Sequence, residues 1–531
     1  MIRISDIKIP VTPEPFDEIS SIRLKCAKTL KISPEKAGPF RIVKKSVDAR
    51  DKSRILLVYS VDMDMPGEAR FLRFKHVTKA EPFAYAPPVI KRGDFKTRPV
   101  VAGCGPAGLF AALTLCLAGV PPLLIERGAD ITRRGELVSR FWRAGALDPD
   151  TNIQFGEGGA GAFSDGKLTT GIGDPRVPFV LETLVRAGAP EDIAYSARPH
   201  IGTDVLPGAV LRLRGRLIEM GAEIRFNCAL AGIRAENGRL SSIIIKSNGI
   251  ISEIPADNLI LAVGHSARDT FETLFEAGVA MRPKPFAVGA RIEHRQSFID
   301  RAQYGAFAGL QALGPAEYKL AARLSGGRGA FTFCMCPGGA VVAAASEANG
   351  VVTNGMSNRA RDAENANSAL LINVAPEDWG GGALGGVEFQ RKLERAAFAL
   401  GGGGYKAPAQ LVGDFLADKA SASLGSVAPS YTRGVALADL RECLPPFVAA
   451  GLKDALTLLD RKLPGFAGRD AVLTAVESRS SSPVTIARGA DLQSNIRGLY
   501  PCGEGAGHAG GIMSAAVDGM RCAEAIISNA L

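Results

Sequence analysis

The run Glu477-Ser478-Arg479-Ser480-Ser481-Ser482-Pro483-Val484 sets a carboxylate and a guanidinium two residues apart in a hydroxyl-rich stretch. A guanidinium offers a planar fork of donors that fits a carboxylate bidentately. Arg479 is therefore a candidate for binding an anionic substrate group, with Glu477 orienting it. A solvated polar loop is the alternative. In Gly329-Ala330-Phe331-Thr332-Phe333-Cys334-Met335-Cys336-Pro337-Gly338-Gly339 two thiols stand at i and i+2 of a strand, an arrangement that points both side chains the same way. Such thiols can relay electrons or act as an acid, which makes Cys336 a candidate catalytic residue; two small apolar core residues are the other reading. His508 is the histidine best placed for proton transfer, whereas His265 reads as a turn residue and His76, His200 and His294 have no readable partner. No His-Glu-x-x-His pattern, paired CxxC or Cys/His cluster occurs, so no metal is proposed.

These groups need a reactant held beside them, and the strongest binding signal lies in Arg98–Gly128, RPVVAGCGPAGLFAALTLCLAGVPPLLIERG. It reads as strand, glycine turn, helix and second strand. In the turn Gly103-Cys104-Gly105-Pro106-Ala107-Gly108, Gly103 permits the tight bend, Gly105 lets a pyrophosphate meet bare backbone, and Gly108 lets the helix approach the strand. The helix N-terminus offers unpaired N–H groups and the positive end of its dipole to the phosphates. Glu126, 18 residues after Gly108 and followed by Arg127, ends the second strand where a carboxylate accepts from a ribose diol. The reading is a dinucleotide site.

A partner element closes the chain. Arg497-Gly498-Leu499-Tyr500-Pro501-Cys502-Gly503-Glu504-Gly505-Ala506-Gly507-His508-Ala509-Gly510-Gly511-Ile512 runs from a short strand through a glycine-rich turn and an acid to a second helix N-terminus, Met513 to Ile527. This strand–Gly–acid pattern resembles the second FAD motif of flavoprotein oxidoreductases. The resemblance implies that Glu504 holds a ribityl hydroxyl. It also implies that Gly510, Gly511 and Ile512 present N–H groups to the flavin N1–C2=O edge, where negative charge develops on reduction. Gly503 makes the turn. A second loop, Asn152–Leu168, is expected beside the flavin: Gly158 and Gly159 allow close backbone approach, and Ser164 and Lys167 are candidate donors to flavin O4 or to substrate. A glycine turn touching only phosphates is the alternative there. Asn258–Gly264, NLILAVG, reads as a buried strand ending at Gly264 near the nucleotide.

The chain of 531 residues suffices for two or three domains and a large core. Residues 1–95 read as a small, basic α+β domain, ferredoxin-like, with strands at Arg3–Ile9, Phe40–Val47 and Arg54–Val61. A helix is expected over Phe16–Leu30, with Ile19, Ile22 and Leu24 as its apolar positions. Pro82–Arg98 is the linker. Residues 99–283 plus 471–531 form the FAD-binding domain, with a meander over Gly232–Ile245, and 284–470 form an inserted α+β substrate or cap domain. The fold class is α/β: a Rossmann-type FAD-binding domain (three-layer ββα) with that insert and the N-terminal domain. Residues 284–470 carry no further GxGxxG in a strand–turn–helix context, and no CxxC or CxxxxC pair appears, which argues against a two-dinucleotide disulfide reductase. Nine scattered cysteines fit a reducing compartment, and the N-terminus lacks a signal-peptide pattern, so a cytoplasmic protein without membrane insertion is expected. Residues 1–98 hold 21 Lys and Arg against 12 Asp and Glu, so the whole formal charge of +9 lies there. This is either a solvated basic face or a surface for an acidic partner such as nucleic acid.

Taken together, FRIVKKSVDARDKSRILLVYSVD, NIQFGEGGAGAFSDGKL, FCMCPGG, VTNGMS, ESRSSSPV and GLYPCGEGAGHAGGI resemble a bacterial family of uncharacterised FAD-dependent dehydrogenases over nearly the whole chain. The resemblance implies FAD on a glutathione-reductase-type fold and names no substrate. Relatives carry Tyr where this chain has His508, which counts against an essential role for that histidine. The expected function is an FAD-dependent oxidoreductase, with NAD(P)H as transient reductant and hydride passing through flavin N5 to or from a small organic substrate. Two other readings are an RNA-modifying or RNA-binding flavoprotein that uses the basic domain, and an FAD-binding scaffold without turnover.

Overall fold

A computed structural model describes residues 1–14, 17–81, 83–88 and 95–530; Phe16, expected to open the first helix, and Pro82 of the linker lie outside them. A wholly parallel five-stranded sheet has the spatial order Leu499–Pro501, Leu259–Leu261, Val100–Ala102, Leu123–Ile125, Glu223–Arg225. Successive strand residues face opposite sides, and here that alternation separates two cores. Val101, Leu124, Ile260 and Tyr500 join the core under the helices Pro106–Leu117, Leu206–Glu219 and Ile512–Ala530. Val100, Ala102, Leu123, Ile125, Leu259, Leu261 and Leu499 pack on the antiparallel meander Cys228–Glu236, Arg239–Ser247, Ile250–Pro255. Cover on both faces explains why the central strands are unbroken apolar runs. This is the Rossmann-type, three-layer arrangement read from the sequence. The two glycine-motif helices lie so close that a Cβ on Gly519 would stand 2.0 Å from the Ala107 carbonyl oxygen.

A second, seven-stranded sheet has the order Ala321–Arg323, Gly329–Cys336, Asn365–Val374, Phe286–Arg295, Val472–Glu477, Ala407–Leu411, Val435–Leu437. The strand Val472–Glu477, expected with the FAD-binding segment 471–531, is instead an interior strand of this sheet, antiparallel to neighbours on both sides. Its residues are buried throughout, and such a run needs ladder partners on both edges, which only the inserted segment supplies. The chain passes between the two sheets at a small ribbon, Met281–Pro283 against Val484–Ile486.

The N-terminal segment forms an antiparallel sheet ordered Phe40–Asp48, Leu56–Met63, Ile2–Pro10, Val77–Lys79. This is the strand order of a ferredoxin-like unit, with the second crossover reduced to a 3-10 turn, Glu68–Phe71. The helix Glu18–Leu30 buries Ile22, Cys26, Ala27 and Leu30, whereas Ile19 and Leu24, expected on its apolar face, are exposed. Leu24 falls off the stripe marked by Ile22, Cys26 and Leu30, whereas Ile19 lies on it but in the first turn of the helix, where it is exposed. Among the described residues no helix is long and apolar enough to cross a membrane.

Candidate functional site

The carboxyl ends of the parallel strands open onto one cavity of 1180 Å³ whose far wall is the seven-stranded sheet. That edge is where open α/β sheets bind ligands. The cavity is lined by Gly103, Gly105, Pro106, Ala107 and Glu126 from the first motif; Gly159, Ser164 and Lys167 from the second loop; Gly264; and Gly503, Glu504, His508, Gly510, Gly511 and Ile512 from the C-terminal motif. Glu477, Arg479 and Cys334 complete it on the far side.

The glycines are explained by close approach. A Cβ on Gly108 would lie 1.8 Å from the Gly103 carbonyl oxygen, so this residue packs helix on strand and does not line the cavity. Gly159, at φ +63°, would bring a Cβ to 2.9 Å from the Gly105 Cα, and one on Gly161 would reach Ile512 at the same distance. The first two glycine-rich segments therefore meet backbone to backbone, and the third meets the second through the Ile512 side chain. Beside them, positions 510 and 511 have open space where a side chain would stand.

Glu126 is buried and accepts from the backbone N–H of Cys104 at 2.7 Å, Gly156 at 2.9 Å and Gly128 at 3.0 Å. Two of these bonds fall on one oxygen, so the other keeps acceptor capacity to spare. Arg127 does not line the main cavity. It stacks on Phe155 and donates to Asp269 at 2.8 Å in a small adjoining pocket shared with Gly103, Glu126 and Thr270. Gly158 also turns away, its N–H donating to the Cys104 carbonyl. Arg134, which no sequence signal flagged, is fully buried under the second loop. It donates to the carbonyls of Asn152, Ile153, Gly156, Glu157 and Gly159 at 2.7–3.2 Å. Ser164 donates to Gly161 and accepts from Gly166. Lys167 pairs with buried Asp165, which Arg361 also grips at 3.0 and 2.5 Å.

The glutamate–serine run is not a solvated loop: Glu477, Ser478, Arg479 and Ser482 are buried. Glu477 does not orient Arg479. It faces Arg291 at 3.5 Å and Thr353 at 3.4 Å, because it ends an interior strand opposite the one that carries Arg291. Arg479 turns the other way and closes on Glu394, with Ser346 taking a third bond. Its bidentate fork is thus occupied, and only its remaining N–H groups can meet a substrate.

The thiols also depart from strand alternation. The ladder is irregular between Phe333 and Cys336, and Cys334 sits at φ +42°. The consecutive residues Phe333 and Cys334 therefore both line the cavity, while Cys336 is fully buried behind them and does not. Arg291, itself fully buried, donates to the Cys334 carbonyl at 2.9 Å and lies 3.7 Å from the Cys336 sulfur. A Cβ on Gly355 would stand 1.8 Å from that guanidinium, which accounts for the glycine of the VTNGMS segment.

Titration is strongly biased across the site. Burial pushes the carboxyl of Glu504 up to about 7, with the Gly511 N–H and Lys284 opposing. Burial pushes Glu477 likewise to about 7 against the pull of Arg291. His508 is lowered by burial and by Arg488, and it bonds the Ile486 carbonyl at 2.8 Å. Because a carbonyl only accepts, Nε2 carries the proton and Nδ1 is left as an acceptor. His265, read as a turn residue, lines the cavity and is lowered to about 3 by burial and Arg479. Among the described residues, the buried group Cys502, Asp518 and Cys522 has metal-ligand spacing, but Asp518 is already held by Arg488 at 2.7 and 3.0 Å and by the Gly503 N–H.

A family described as FAD-dependent protein, C-terminal domain-like, matches residues 285–480, and a domain of unknown function matches residues 1–64. An uncharacterized protein of Clostridium beijerinckii is 48% identical over 541 residues, covering 99% of this chain and 98% of its own. Similar solved structures include the three that follow. A flavin-dependent brominase gives 12% identity over 81% of this chain and 79% of its own, with a TM-score of 0.38. A flavoprotein/dehydrogenase from Cytophaga hutchinsonii gives 12% over 81% and 78%, with a TM-score of 0.34. A geranylgeranyl bacteriochlorophyll reductase-like protein from Thermoplasma acidophilum gives 13% over 81% and 78%, with a TM-score of 0.33. At that distance no residue position carries across.

Proposed function

The chain belongs to a family of FAD-dependent proteins that it shares with the Clostridium relative, and from that premise we propose that it is an oxidoreductase working on a small organic molecule in the cavity described above. The observation that carries this reading is the convergence of all three glycine-rich segments, with Glu126 and Glu504, on one cavity. The donor set suits an extended dinucleotide. Glu126 would hold a ribose diol, the helix N-terminus after Gly105 would take the pyrophosphate, and Glu504 would hold the ribityl chain. The second helix N-terminus, at Gly510, Gly511 and Ile512, would favour the negative charge that a flavin N1–C2=O edge gathers on reduction.

When bound, the flavin supplies hydride acceptance and donation at N5. The chain's own groups supply position and protons. Glu477, poised near neutrality, can give or take the proton that accompanies hydride transfer, and neutral His508 offers Nδ1 as an acceptor. Phe331, Phe333 and Phe286 give the cavity an apolar wall on the substrate side. In this reading NAD(P)H visits the same cavity in turn, since residues 284–470 carry no glycine fingerprint of a separate nucleotide domain.

The test is anaerobic titration of FAD-loaded protein with NADH and then NADPH. Loss of the visible flavin band with either supports turnover. Protein that stays colourless after reconstitution, or flavin that stays oxidised with both nucleotides, overturns the reading.

A further inference from the structure

The cavity wall facing the flavin site carries two thiols with an unusual environment. Cys334 and Cys336 are brought together by the break in their strand, and the Cys336 sulfur lies 3.3 Å from the Cys334 carbonyl oxygen. The left-handed backbone at Cys334 costs energy for a residue with a side chain, and this one turns a thiol into the cavity. Behind the pair lies Arg291, fixed by Asn367 at 2.6 Å and admitted only because residue 355 is glycine. Beside it stands the Glu477 carboxyl.

We propose that Cys334 and Cys336 are a redox-active pair that cycles between a dithiol and an intramolecular disulfide, exchanging two electrons with FAD bound in the cavity. This rests on the FAD reading above. In the oxidising direction Glu477 first takes the Cys334 proton. The Cys334 thiolate and the Cys336 thiol then form one S–S bond, releasing two electrons and the Cys336 proton, and together these equal the hydride equivalent that an oxidised flavin accepts. The reverse step returns them when NAD(P)H has reduced the flavin. Hydrogen bonding from Cys336, together with the Arg291 charge, holds the Cys334 thiol below its ordinary value, as an attacking thiolate requires. Cys336 is pushed up by the same contact and by burial, so it keeps its proton until the bond forms.

The pair can be read directly, because residues 329–359 lie between two arginines, Arg328 and Arg359, and contain no other cysteine. Holoenzyme oxidised with excess ferricyanide is denatured in iodoacetamide, digested with trypsin and weighed. The expected segment carries no label after oxidation and two labels after anaerobic NAD(P)H or dithionite. Anaerobic dithionite titration should consume four electrons per flavin in wild type and two in Cys334→Ser or Cys336→Ser. A doubly labelled segment from the oxidised holoenzyme, or two electrons per flavin in wild type, overturns the proposal while leaving FAD binding intact. Failure to bind FAD would show instead as absent flavin, and the labelling assay would still report on the pair.

Discussion

The Arg479 guanidinium closes on the Glu394 carboxylate through Nε at 2.9 Å and Nη2 at 2.8 Å, and Arg268 grips the same carboxylate from the opposite side at 2.8 and 3.0 Å. One buried anion therefore serves two buried cations, and a hydroxyl from Ser478 completes its shell at 2.7 Å. The cluster joins the helix Arg268–Glu276, the helix Gly385–Leu400 and the cavity wall.

Removing the shared anion should be costly. Glu394→Gln leaves Arg268 and Arg479 buried without their counter-charge, and breaking a buried pair on one side costs about 3–5 kcal/mol. The expected outcome is a lower urea midpoint with an unchanged slope. A midpoint equal to wild type would mean that water already reaches the cluster.

Gly159→Ala should discriminate against the cofactor more than against the fold. The new Cβ would meet the Gly105 Cα at 2.9 Å from a left-handed backbone, so the second loop must lift off the first motif. Flavin content at purification and affinity on reconstitution should fall at least about tenfold, equivalent to roughly 1.4 kcal/mol. Far-ultraviolet circular dichroism should change little. Full flavin occupancy in this variant would place the pyrophosphate elsewhere.

The contrast between these two sites shows what could be read from the chain alone. Gly103, Gly105, Gly108 and Glu126 belong to one strand–helix–strand unit, where each glycine's purpose follows from its neighbours. The C-terminal motif, with Glu504, is local in the same sense. Glu394 lies 85 residues from Arg479, and Arg291 lies 186 from Glu477, so sequence spacing carries no trace of either pairing. The apolar strand Val472–Glu477 fits either sheet by composition, and only its ladder partners decide. Strand alternation pointed both thiols one way because an irregular ladder and a left-handed cysteine leave no local sign. Arg134 escaped notice because a lone arginine in a helix usually points to solvent, and its five carbonyl partners come from a loop folded over it.

Arg134→Met should loosen that loop without uncovering a large cavity, since the apolar stem length is nearly kept. It removes five donations to backbone carbonyls, and bonds to a charged group are worth about 1.5–3 kcal/mol each before solvent repays part of them. Weaker FAD binding and faster amide exchange across Asn152–Leu168 are expected together. Exchange unchanged from wild type would show that the glycine contacts alone hold the loop.

The raised carboxyl of Glu504 gives apo-protein stability a readable pH signature. Its folded value of about 7 exceeds the ordinary one near 4.5, so the unfolded chain releases this proton first as pH rises. The carboxyl's contribution is then fully present below about 4.5 and is lost as pH climbs through 7. Glu504→Gln keeps the shape and removes the titration. The stability of the variant relative to wild type should therefore increase between pH 6 and pH 8 by about 1 kcal/mol, as one shifted group allows. Glu157 and Glu477 titrate in both proteins and cancel in the difference. Paired urea curves at the two pH values measure it. A difference that stays flat would mean that Glu504 is already ionised in the empty cavity, and the hydroxyl it faces would then meet a carboxylate from the outset rather than one that loses its proton on binding.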